Sequence, residues 1–183
     1  MLENFLPFLN EFLSVLTITI LAVISPGADF VVVVKNSLSS SRQSGIFTAI
    51  GISSATWIHT FYTLTGISLI ISQSIYIFTF LKIIGSVYLI YLGISSIRNQ
   101  QRLNIISFNK IGLSNWESFK SGFITNMLNL KATMFYLSVF TQIVNVETPV
   151  FIQIIYGLII SIICLIWFSI IAFFLNNEKV KLQ

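Results

Sequence analysis

Apolar residues run along this chain in five long blocks, set apart by short polar stretches. The first covers residues 5–34 and is interrupted once, at Ser25-Pro26-Gly27-Ala28. The others cover residues 46–71, 75–97, 119–144 and 150–175. A helix needs about 20 apolar residues to cross a hydrocarbon core, and each block has that length. The pattern predicts an all-α polytopic membrane protein with about five transmembrane helices. No linker or low-complexity tract divides it, so residues 1–183 are expected to form one domain.

Composition agrees. Of 183 residues, 55% are hydrophobic and 9% charged, with a mean hydropathy of +0.90. A soluble domain carries about 25% charged residues and would lack a polar surface here. The net charge of +4 gathers on no single face and accompanies no nucleic-acid-binding motif, which argues against a nucleic-acid partner. Charges instead mark the ends of the blocks. Lys35 and Arg42 follow the first, and Arg98, Arg102, Lys110 and Lys120 lie between the third and fourth. Lys179 and Lys181, with Glu178, close the chain, while the intervening turns carry Glu147 or nothing. Basic residues are retained on the cytoplasmic side, so the N-terminus is expected outside and the C-terminus in the cytoplasm. The first charges, Glu3 and Glu11, are not the basic start of a cleaved signal. Cys164 is the sole cysteine and lies in an apolar block, so it predicts a buried thiol with no disulfide and no metal.

A few polar groups fall inside the blocks: Asp29, His59, Lys82, Asn126, Asn129 and Lys131. Ionisable residues at membrane depth are costly and commonly functional. At about 1.5 Å of rise per residue, Asp29 lies about 9–14 Å and Lys131 about 13–17 Å from the cytoplasmic edge, so the two can meet. Lys82 lies about 24 Å from the cytoplasmic end at Arg98, too far to pair with Asp29. It either snorkels outward or lines an external vestibule. An Asp29–Lys131 pair has two readings. A permanent ion pair would fasten two helices. An open pair would bind a zwitterion, with Asp29 on the ammonium or carrying a coupling proton, and Lys131 on the carboxylate. Pro26 and Gly27 break the first helix and free backbone groups, and Asn126 and Asn129 add side-chain amides. Broken helices of this kind build the sites of many secondary transporters. His59 is read first as an interhelical hydrogen-bonding group and second as a proton relay. Hydroxyls crowd the second block; most are expected to bond their own i−4 carbonyls, with Ser53, Thr56, Thr60 and Thr63 left as a possible polar wall. Gly85, Leu89 and Gly93 predict close helix packing on the third. No metal, cofactor or enzyme motif is present.

Several motifs, in order along the chain, resemble those of the lysine-exporter and threonine-efflux family of amino-acid exporters. Ser25-Pro26-Gly27-Ala28-Asp29 resembles its Pro-Gly-Pro-Asp signature. Lys35-Asn36-Ser37-Leu38, with Arg42 through Gly45, resembles the loop that follows. Leu81-Lys82-Ile83-Ile84-Gly85 with Tyr88 to Gly93 is similar to its third helix, and Gly122-Phe123 with Asn126 to Ala132 is similar to its Asn-x-x-Asn-Pro-Lys segment. The resemblance implies a bacterial inner-membrane exporter of a small zwitterionic solute, driven by proton antiport. It also implies two related three-helix halves, with the central site at Pro26–Asp29 and Asn126–Lys131.

The departures carry expectations of their own. Ala28 replaces the second proline of the signature, which predicts a softened break. Leu130 replaces the proline before Lys131, which predicts a continuous fourth helix. Thr56 stands where many members carry an acid. Five blocks leave the last helix of a three-plus-three repeat unaccounted for. That suggests a groove filled by lipid or by a second copy in a homo-oligomer, or else a truncated member or a non-transporting accessory subunit.

Overall fold

The computed structural model describes residues 6–98, 112–145 and 147–175. Glu3, Arg102, Lys110, Glu178, Lys179 and Lys181, which enter the charge argument, lie outside the described residues. The described chain is helical throughout: α1 (Leu9–Ile24), α2 (Ala28–Ser39), α3 (Arg42–Gln73), α4 (Ile75–Arg98), α5 (Asn115–Met127), α6 (Leu130–Gln142) and α7 (Val150–Leu175). This is an all-α polytopic membrane protein. Ile75–Ile94 and α7 are each long and apolar enough to cross a membrane, and α1 with α2, bent by 53°, together have the length and composition of a broken span or a re-entrant loop. At 32 residues, α3 has the reach to cross, but its hydroxyls make it less apolar. The turn expected between the second and third blocks falls at Ser74.

The fourth block does not form one helix. It divides at Leu128–Asn129 into α5 and α6, which overturns the continuous helix expected from Leu130. Upstream, Ser114 caps α5: its hydroxyl accepts from the Glu117 backbone N–H, and Glu117 accepts in return from the Ser114 N–H and hydroxyl. These bonds hold the Glu117 carboxyl below its usual range.

Packing is tightest where α3 crosses α5. A Cβ on Gly51 would strike the Phe119 carbonyl, and one on Gly122 would strike the Thr48 carbonyl. Two backbones therefore touch directly, which only glycine permits. Ser53 and Ser161 clasp α3 to α7, each hydroxyl bonded to the other's carbonyl at 2.9 and 3.0 Å. The third block behaves differently from its glycine pattern. Gly85 does press on Ser138 of α6, but nothing lies within 4 Å of a Cβ on Gly93.

Four of the α3 hydroxyls take the plain role expected of them. Thr48, Ser54, Thr60 and Thr65 bond the carbonyl four residues back. The large apolar residues left exposed, among them Phe61, Ile83, Val87, Ile90, Phe151 and Phe174, suit a lipid boundary.

Gly122→Val is expected to cost about 1–3 kcal/mol by overpacking, read as a lower unfolding midpoint of the purified protein in detergent. Gly93→Ala should not lower that midpoint.

Candidate functional site

The break between α1 and α2 meets the break between α5 and α6. In the first, Pro26 has no N–H to give, and Ser25 (φ −64°, ψ 122°) and Gly27 (φ −161°, ψ −166°) are both extended. The helix stops after Ile24 and restarts at Ala28, so a break forms without the second proline. In the second, Asn129 is extended (φ −77°, ψ 105°), and its side-chain oxygen accepts from the Lys131 N–H at 3.0 Å. An asparagine N-cap thus starts α6 where a proline is missing. The carbonyl freed on Asn126 is met by the Asn129 N–H at 2.9 Å and by His59 Nε2 at 3.0 Å.

These caps leave the side chains of the breaks facing one another. Asn126 and Asn129 both donate to Asp29 Oδ2, at 2.9 and 3.0 Å. Asp29 Oδ1 and Asn126 Oδ1 are buried without a partner among the described residues. Lys131 Nζ donates to the Ser25 carbonyl at 2.6 Å, and its stem lies 3.2 Å from where a Gly27 Cβ would be. Asp29 and Lys131 are therefore brought to one place, as the depth argument expected, but each takes its hydrogen bonds elsewhere. Lys131 covers the open end of α1, where unsatisfied carbonyls attract a cation.

Between them lies a cavity of about 50 Å³, walled by Ser25, Gly27, Asp29, Asn126, Asn129 and Lys131 on its polar side. Phe30, Phe135, Ile160, Cys164 and Phe168 form much of the rest. That volume holds a few water molecules. Among the described residues, no three His, Cys, Asp or Glu side chains gather as metal ligands.

His59 is fully buried and stacks on Tyr136 at 5.3 Å. A carbonyl can only accept, so Nε2 carries the proton toward Asn126, and Nδ1 accepts from the Tyr62 hydroxyl at 2.7 Å. This is the interhelical role, and it fixes the backbone that presents Asn126 to Asp29. Lys82 is exposed on α4 and does not line the cavity. Of the suggested polar wall, Thr56 reaches the cavity, whereas Ser53 joins α7. Sequence reasoning missed the α7 wall. Ile160, Cys164 and Phe168 share the four-residue spacing of any buried helix face, so nothing set them apart.

A family model described as LysE type translocator matches residues 20–181. The chain belongs to the LysE type translocator family. A threonine efflux protein of Escherichia coli K12 is 31% identical over 168 residues, covering 88% of this chain and 80% of that protein. An uncharacterized membrane protein of Bacillus subtilis, YrhP, is 28% identical over 182 residues, covering 93% and 86%. A second E. coli membrane protein, YahN, is 28% identical over 149 residues, covering 81% and 67%. No solved structure gives a significant match. As a family member with apolar spans, the chain is a membrane translocator, and its two breaks fall on the segments where the family resemblance was found.

The two tasks of Asn129 can be separated. Asn129→Leu loses both the α6 cap and a bond to Asp29, and should cost about 1–2 kcal/mol, read as a lower unfolding midpoint in detergent. Asn129→Ser keeps the cap and should recover most of that midpoint while still lacking the Asp29 bond.

Proposed function

We propose that this translocator exports a small zwitterionic, amino-acid-like solute by alternating access around the cavity at the crossed breaks. The observation that carries the reading is the pair of buried acceptors without partners, Asp29 Oδ1 and Asn126 Oδ1, placed with the Lys131 ammonium on one cavity. Two acceptors suit a bound ammonium. Lys131 suits the carboxylate, helped by the N-terminal ends of α2 and α6, which both begin at the cavity and carry partial positive charge. The apolar remainder takes a small side chain. The relatives named threonine efflux protein support an amino acid as the cargo.

Asp29 can hold either the solute ammonium or a proton, and that exclusivity gives antiport. A proton entering replaces the ammonium leaving. The positive-inside rule, applied to Lys35, Arg42 and Lys120, supports a cytoplasmic α2–α5 end and an N-terminus outside, and the family resemblance supports the bacterial inner membrane. The small cavity belongs to a closed stage, since open ligand pockets occupy about 300–1,000 Å³. A non-transporting accessory subunit was suggested by the unaccounted sixth helix and by the replaced prolines. The second of these grounds falls away, because both breaks persist without those prolines.

Efflux of preloaded amino acids from cells tests the reading. Asp29→Asn at equal abundance should lower efflux at least about tenfold, the worth of a charge-assisted hydrogen bond. Lys131→Gln should raise the internal concentration needed for half-maximal efflux. Wild-type efflux from Asp29→Asn would contradict the assignment.

A further inference from the structure

A second acid is buried far from the cavity. Glu11 lies on α1, about 20 Å from Ser25 along the helix, and is only 7% exposed. Its carboxylate is enclosed by donors. Asn145 gives its backbone N–H at 3.2 Å and its side-chain amide at 2.7 Å. The Thr148 hydroxyl lies 2.9 and 3.0 Å from the two oxygens, and the Tyr156 hydroxyl 3.2 Å from one of them. Asn145 and Thr148 belong to the turn between α6 and α7, and Tyr156 to α7. A single side chain of the first half thus holds three residues of the second.

Glu11 also heads a seam. The buried residues of α1 are Glu11, Val15, Thr19 and Ala22, one helical stripe. On α7 the corresponding stripe is Tyr156, Ile160, Cys164 and Phe168. Their apolar members belong to one buried cluster. At the inner end, Ala22, Ile160, Cys164 and Phe168 all wall the cavity. Thr19 bonds its own helix at 2.6 Å, so it does not tie α1 to α7. The polar closure of the seam is at its outer end, in the Glu11 cluster.

We propose that Glu11 is the gate latch of this translocator: its bonds to Asn145, Thr148 and Tyr156 close the α1–α7 seam, and their release opens the cavity toward that end. The inference rests on the alternating-access reading, but it concerns a different residue cluster. A carboxylate bonded by several donors makes a firm closure. Bonds made in one conformation and lost in the other are what a two-state gate requires.

Cys164 provides the test, because it walls the cavity and is the only cysteine in the chain. A membrane-impermeant maleimide is added to intact cells and, separately, to inside-out vesicles, and the rate of Cys164 labelling is measured. Efflux is followed in parallel. Glu11→Gln should label about tenfold faster than wild type from the Glu11 side, the population shift for one lost charge-assisted bond. Thr148→Val and Tyr156→Phe should give smaller increases from the same side. Faster labelling in cells supports the latch with the N-terminus outside; faster labelling only in inside-out vesicles supports it with the orientation reversed. Faster labelling without efflux from any form upholds the latch and removes the export reading. Wild-type labelling rates from both sides in well-folded variants would overturn the latch. So would an equal rise from both sides, which marks general loosening. If Glu11→Gln does not accumulate, the two milder variants decide in the same way.

Discussion

Lipid offers no hydrogen bonds, so every backbone group freed at a helix break must find its partner within the protein. This constraint organises the molecule. Two helical blocks are broken, and each break is repaired by the other half of the chain. Lys131, from the second break, covers the Ser25 carbonyl of the first. Asp29, from the first, receives the amides of Asn126 and Asn129 from the second. His59 on α3 donates to the Asn126 carbonyl at the end of α5. The repair leaves Asp29 Oδ1 and Asn126 Oδ1 without partners among the described residues, and both residues line the cavity.

That arrangement suits a site whose occupancy has to change. A direct Asp29–Lys131 ion pair would satisfy both charges and would be strongly destabilising to separate, at about 3–5 kcal/mol when one partner is lost. Here each charge is held by weaker neutral partners, so on the proposed function a zwitterion would take both ends without first breaking a salt bridge. The rigid surroundings contrast with this. The glycine contacts of α3 with α5 and the Ser53–Ser161 clasp bind the centre of the bundle firmly.

Much of this was legible in the sequence, and the exceptions have clear causes. Block length anticipated the helices, two or three of which are long and apolar enough to span, and the cost of burying Asp29 and Lys131 drew attention to the two breaks. The second break was missed because it was sought in a proline. Asn129 makes it by capping, a role that asparagine fills as well as proline fills its own but that its bare presence in an apolar run does not announce. Gly93 was expected to pack closely and does not, since spacing shows which residues share a face but not what faces them. Glu11 read as a terminal charge because its donors come from residues 145, 148 and 156, a pairing visible only in three dimensions. The α7 wall of the cavity looks like any buried helix face.

On the proposed function, the crossed breaks form a cradle for an ammonium and a carboxylate together. The most direct measurement is the shift in unfolding midpoint of the purified protein with amino acids, set beside the matching compounds lacking the amino group. At solute concentrations about a hundredfold above the dissociation constant, binding should stabilise the protein by about 2.7 kcal/mol. The amino-less compounds should give little shift, and Asp29→Asn should abolish the difference. Equal shifts with and without the amino group, or a shift unchanged in Asp29→Asn, would contradict the account.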